Sequence, residues 1–249
     1  MPCDTAASVV LNGNSTLSAT GFIDSSLFAN TVTVTGTCYH DTNFSVFGGS
    51  SIKFGGDGVM EIPFFSGMNI SNLAFTWEQW VRFSSVSVQQ YFIGFGNSPG
   101  VDGMHASYFN ISQTLYVDLG GGFIYEFAWP TPATSTFYYV SLARDVSATM
   151  KAYLAASGTT IATQIGSTMG APTIIGGISD MRIGGRVGAT SFRLNGHIES
   201  MRLTKGLCRY SGASYTVPAT EFCTGGAAAG VNIVNLGRTM RGTMRGCNR

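Results

Sequence analysis

Glu78, Trp80 and Arg82 alternate within the run Phe75-Thr76-Trp77-Glu78-Gln79-Trp80-Val81-Arg82-Phe83. Period two puts all three on one face of an extended strand. Exposed, an indole plane between an acid and a guanidinium is a platform on which a sugar can stack while polar groups orient its hydroxyls. Buried, the same three are an interior ion pair beside a core Trp, with Arg144 as a further partner, because buried charges need counter-charges. The interior reading carries more weight.

Other reactive patterns fail on chemistry. Gly96-Asn97-Ser98-Pro99-Gly100 has the spacing of a nucleophile elbow. That elbow uses the backbone N–H after the serine as an oxyanion donor, and Pro99 has none. Retaining glycoside hydrolysis needs two carboxyl groups about 5–5.5 Å apart. Glu78, Asp118, Glu126 and Glu199 are each isolated in sequence, so no local pair offers that geometry. His40, His105 and His197 are scattered, and Cys38-x-His40 is a lone pair rather than a zinc set. Asp57 in Gly55-Gly56-Asp57-Gly58, with Asp24 or Asp102, offers oxygen to calcium; the competing reading is an Asp that stabilises its own turn. The turn reading is preferred, and no cofactor is expected.

The elements that must carry these residues are strands. Phe75, Trp77, Gln79, Val81 and Phe83 form one face of the first long strand, and Thr76, Glu78, Trp80 and Arg82 the other. The pattern predicts a half-buried strand with one aromatic on its polar face. Residues 137–145 are aromatic and apolar enough to be buried on both faces, and Lys151–Leu154 is the hairpin partner across the Asp145–Thr149 turn. Asn195-Gly196 and Lys205-Gly206 read as turns bracketing a strand. Gly-rich turns recur at short intervals, and no stretch has a helical pattern long enough to stand. The expected fold is all-β: a two-sheet antiparallel jelly-roll sandwich over residues 1–223, with an extended C-terminal arm at 224–249.

The totals narrow the partners. Of 249 residues only 11% are charged, and Lys occurs three times, as Lys53, Lys151 and Lys205. Lys is depleted at protein interfaces, so much of the surface is expected to meet other subunits, as in a homo-oligomer. A net charge of +1 gives no reason to expect nucleic acid. No apolar run reaches about 18 residues, so no membrane span is expected. Met1-Pro2-Cys3-Asp4 has no basic region or long apolar core, so no secretory signal is expected and synthesis is placed in a cytoplasm. Five cysteines leave at least one thiol unpaired within the chain.

The arm is Gly/Ala-rich and then basic, with Arg238, Arg241, Arg245 and Arg249 and no acid after Glu221. The sandwich before it is therefore slightly acidic. Val231, Ile233, Val234 and Leu236 can add an edge strand to a neighbouring subunit, with Arg238, Arg241 and Arg245 pairing its acids. The competing reading is an extension folded back on its own domain.

Several segments together resemble laminin-G-like, concanavalin-type lectin–glucanase sandwiches of phage and bacterial surface proteins. They are Val9–Leu11, Ile23-Asp24-Ser25-Ser26, Ser50–Gly58, Phe75–Phe83, Phe137–Asp145, Met181–Gly185 and Ser191–Tyr210. The likeness spans about residues 8–222; Tyr139, Gln79 and His197 depart from its usual pattern. It implies a non-enzymatic virion structural protein at the virion surface, a head decoration, tail or fibre subunit contacting other virion proteins. The alternative it implies is a glycan-binding module for host-surface attachment. A glycosidase is the third class, and fold alone does not choose among them.

Overall fold

The structure is a computed structural model and describes residues 6–13, 20–96, 102–170 and 179–222. Within them the chain forms strands β1 Ala7–Leu11, β2 Thr33–Thr35, β3 Cys38–Asp41, β4 Ser51–Gly55, β5 Val59–Ile62, β6 Phe75–Phe83, β7 Gln90–Phe95 and β8 Met104–Phe109. Strands β9 Thr114–Asp118, β10 Ile124–Ala128, β11 Phe137–Arg144, β12 Thr149–Ala156, β13 Ile161–Gly170, β14 Met181–Ile183, β15 Asn195–Lys205 and β16 Ser214–Thr216 follow. The helical content among the described residues is one 3-10 turn, Ser66–Met68.

The strands make two antiparallel sheets. One runs β16-β13-β12-β11-β6-β15-β4-β3, with β1 also paired to β15, and the other runs β10-β9-β8-β7-β14-β5-β2. Between them lies the main core, built from alternate residues of each strand. Phe75, Trp77, Val81 and Phe83 of β6 meet Phe92, Tyr108 and Trp129 there. Trp77 and Phe92 stack with ring centroids 6.1 Å apart, and Phe83 lies 5.7 Å from Trp129. The alternation read from the sequence holds on this side. Gln79 is the exception: it is fully buried, and its side-chain oxygen and nitrogen both lack hydrogen-bond partners.

On its other face β6 is not half-exposed. A second apolar cluster covers the outer side of the nine-stranded sheet, where Trp80, Tyr139 and Tyr153 pack against Val46, Phe47, Cys208, Tyr210, Tyr215, Val217 and Phe222. The loop after β3 and the chain after β15 fold back over this face. That covering, which strand periodicity does not report, converts the expected polar face into an interior one.

The Asn195-Gly196 pair also differs from expectation. It begins β15 rather than forming a turn, pairing with Gly55 and Phe54 of β4. Glycine is required there by close approach: a Cβ on Gly196 would stand 2.2 Å from the Arg82 carbonyl oxygen. Gly206 does turn the chain, with φ +80°.

Candidate functional site

Strand pairing builds the outer face of the nine-stranded sheet. In β15, His197 lies opposite Arg82, Glu199 opposite Trp80, and Arg202 opposite Glu78. Cross-strand partners share a face, so these six side chains are neighbours. A β-bulge between Glu199 and Met201 makes this possible. Ser200 is the extra residue, buried with φ 52°, its hydroxyl bonded to Asn12 Oδ1 at 2.9 Å. Were Ser200 paired as an ordinary strand residue, the alternation of β15 would send Met201 and Leu203 outward and Arg202 into the core.

Glu78 sits at the centre of a closed polar network. Arg202 donates to Oε1 from Nε at 2.9 Å and from Nη2 at 2.7 Å. The hydroxyls of Tyr139 and Tyr210 donate to Oε2, the latter at 2.8 Å. The Arg209 guanidinium stands 3.8 Å away. Burial pushes the Tyr139 phenol well above its usual range, and the Glu78 charge beside it adds to the rise. Tyr139 therefore stays a donor. Glu199 is capped as fully, by Ser45 Oγ at 2.8 Å and by the backbone N–H groups of Val46 and Phe47. Burial raises its pKa despite those bonds. The two carboxylates share a face, yet each is spent on structure and fully buried.

Beside Arg82 the face does open. A cavity of ≈ 270 Å³ is lined by Asp41, Phe44, Lys53, Arg82, Ser84, Thr134 and His197. Each residue is brought by a different device. Asp41 ends β3 and Lys53 lies in β4; Tyr39 and His197 flank Lys53 across the sheet. Ser84 follows β6, Phe44 comes from the loop after β3, and Thr134 from the loop before β11. His197 Nε2 lies 3.1 Å from Asp41 Oδ2, and its Nδ1 is 3.5 Å from Arg82 Nη1. Burial, together with Lys53 and Arg82, lowers the His197 pKa to about 4 against the pull of Asp41. The ring is thus neutral at neutral pH. The arrangement fits one tautomer: Nε2–H donates to Asp41, and Nδ1 accepts from Arg82.

The remaining groups follow from that dyad. Burial would raise the Asp41 carboxyl, but the Asn43 backbone N–H, His197 and the Asn43 side chain hold it below the usual range. Arg82 lies 3.9 Å from the Phe44 ring centroid, a cation–π contact that fixes its plane. Lys53 Nζ donates to Ser84 Oγ at 2.7 Å. Burial lowers the Lys53 pKa, and Arg82 adds to the lowering. Ser84, His197 and Asp41 do not compose a nucleophilic triad. The imidazole nitrogen that would take a serine proton faces Arg82, and the serine hydroxyl is engaged by an ammonium. The site can recognise a ligand through one aromatic wall, hydroxyls and two cations.

Of the platform predicted on β6, only Arg82 reaches this cavity. Glu78 is fully buried and Trp80 is 3% exposed, its ring packed edge-on by Phe47 and Tyr139. They form no exposed plane, because the back-folded segments lie on them. The partner of Glu78 is Arg202, not Arg144, which donates to the carbonyls of Ser71 and Leu73. Asp57 bonds the Thr37 hydroxyl at 3.2 Å, and Asp24 accepts from Val10 N, Ser26 and Asn30. Asp24 ties its own turn through Ser26 and Asn30, whereas Asp57 reaches across to Thr37 of another segment, and among the described residues no three His, Cys, Asp or Glu side chains gather as metal ligands. The serine of Gly96–Gly100 and the arm residues Val231, Ile233, Val234, Leu236, Arg238, Arg241 and Arg245 lie outside the described residues. Sequence reasoning missed Asp41, Phe44, Lys53, Ser84 and Thr134. The available signal was His197, marked as a departure from the usual Tyr.

No family profile matches this chain, and no curated protein does. Solved structures do match. The chain resembles the botulinum neurotoxin serotype D/C VPI 5993 binding domain with a TM-score of 0.58 at 12% identity, over 81% of this chain and 49% of that one. It resembles the serotype DC binding domain in complex with SialylT with a TM-score of 0.58 at 13% identity, over 81% and 48%. It also resembles domain 4 of AbnA, a GH43 extracellular arabinanase from Geobacillus stearothermophilus, in complex with arabinotriose. There the TM-score is 0.51 at 17% identity, over 72% of this chain and 84% of that one. The chain spans about half the length of the neurotoxin structures. At these identities the likeness is one of fold, a β-sandwich shared with binding domains.

Proposed function

We propose that this protein is a glycan-binding module and that the cavity beside Arg82 is its saccharide site. The observation that carries the reading is the lining of that cavity. One aromatic ring, exposed enough to meet a ligand, stands with fixed polar donors and acceptors around a space of ≈ 270 Å³. Pockets for drug-sized ligands run from about 300 Å³ upward, so this one suits a single sugar ring. Support also comes from fold neighbours solved with SialylT and with arabinotriose. That support favours the second sequence reading over the first, a virion subunit, whose predicted contacts rest on the arm.

Phe44→Ala tests the assignment, because Phe44 is 37% exposed and its loss leaves the core intact. On a glycan array the parent chain binds a defined set of saccharides. The variant, with unchanged melting temperature, binds them about tenfold or more weakly, a loss of about 1.4 kcal/mol. Full binding by the variant overturns the site, and an array without a single bound saccharide overturns the function.

A further inference from the structure

We infer that the saccharide recognised in this cavity carries a negatively charged group, a carboxylate or a sulfate ester, held by Arg82 and Lys53. The inference rests on the glycan-binding reading and deepens it. The charged groups facing the cavity are Arg82, Lys53 and Asp41. With His197 neutral, two cations face one carboxylate, and the site carries a net +1. Among the described residues neither cation makes an ion pair: the acid in reach, Asp41, is committed to His197 and Asn43.

Both cations hold unspent donors. Arg82 uses Nη1 toward His197 and leaves Nη2 without a hydrogen bond; its Nε, also unpartnered, is too buried to meet a ligand directly and serves as a reporter of one. Lys53 uses one of three ammonium protons on Ser84. A guanidinium presents a planar fork of donors matched to oxyanions, and Phe44 beneath it with His197 beside it hold that fork still. Such pre-organisation lowers the entropy cost of capture. The half-buried setting limits solvent screening, so an incoming oxyanion gains more here than on open surface. Phe44 and Thr134 are left for the uncharged part of the ring. The Asp41–His197 pair acts through Arg82 as a positioning pair.

The test uses the full chain and four probes: methyl β-glucuronide, methyl β-glucoside, methyl β-glucoside 6-sulfate and sodium acetate. Binding is followed by NMR, including the Arg82 Nε–H resonance. The glucuronide or the sulfate should move that resonance and bind at least about tenfold more tightly than the neutral glucoside. Raising NaCl from about 20 to about 200 mM should weaken the charged sugar and leave the neutral one unmoved. Arg82→Met should cost the charged sugar its advantage. Because Arg82 is half-buried, Lys53→Gln is the second variant, and it should do the same in part without altering the fold. The relative response to glucuronide and sulfate distinguishes the two anions. Equal affinity for charged and neutral sugars overturns the anion assignment and leaves the glycan reading standing. So does an advantage that survives both variants. Acetate binding as tightly as the glucuronide also overturns the assignment, because the sugar then adds nothing. Silence toward every probe and on the array overturns both readings.

Discussion

Gln79 is an amide in a hydrocarbon setting. It projects between the sheets opposite Val140 and Met201 with both polar atoms unpaired. An unsatisfied buried amide costs about 1–3 kcal/mol. Gln79→Met keeps the volume and removes the cost, so the urea midpoint should rise by an amount equivalent to about 1–2 kcal/mol. The histidines make a second case. Burial, with Arg186 nearby, lowers His105 to about 4, and His197 falls to about 4 as well. The unfolded chain takes up these protons near pH 6.5, and the folded chain does so only near pH 4. Stability is therefore full above about pH 6.5 and falls as pH drops toward 4, on the order of 3 kcal/mol per histidine. Glu199, raised by burial, works in the opposite direction near the lower end. Urea titrations across this window should show a shallower slope for His197→Gln and His105→Gln. Which residues could be read in advance follows from distance along the chain. Glu78, Trp80 and Arg82 share a face through local periodicity, and they do so in the structure. Asp41, Phe44, Lys53, Ser84 and Thr134 have no local relation, and only strand pairing brings them together.

At the scale of the element, β15 shows how one residue sets a register. Ile198, Met201 and Leu203 face the core, and the three-residue step between the first two is the bulge at Ser200. That step was visible in Ile-Glu-Ser-Met-Arg-Leu, but a lone Ser between strand residues carries no turn signal strong enough to mark it. Deleting Ser200 should leave a regular strand in which Met201 still pairs with Gln79 and Arg202 with Glu78. The expected result is a transition by circular dichroism that stays sharp, with stability lowered by about 1 kcal/mol for the lost hydroxyl bond to Asn12. Loss of cooperative unfolding would show that the bulge does more for this pairing than restore the alternation. β11 was legible from composition because both faces of residues 137–145 are apolar or aromatic, and β6 from its period-two alternation. The start of β15 was not, because Asn-Gly marks a turn by propensity, whereas here the glycine answers a contact with a neighbouring strand's backbone.

For the whole molecule, the feature absent from every local pattern is the second covering. The chain after Gly206 lays Tyr210, Tyr215, Val217 and Phe222 over the nine-stranded sheet. It also sends the Tyr210 hydroxyl to Glu78 and Tyr215 to Ser141. Ending the chain at Gly206 should uncover Trp80, Tyr139 and Tyr153, shift tryptophan emission to the red and raise the binding of an apolar dye. The two-sheet sandwich itself was legible, since alternation and turn spacing report on faces that meet between sheets. Which outer face would be roofed over depends on where connecting segments return, and that is a property of the assembled chain.

The rings of Tyr210 and Tyr215 lie parallel, 2° apart in plane and 3.5 Å between centroids. Two phenols so close share their electronic transitions, and a coupled pair has a near-ultraviolet dichroic band that separate rings lack. The protein thus carries an intrinsic optical gauge of whether the segment from Tyr210 to Tyr215 is seated, readable without any attached label.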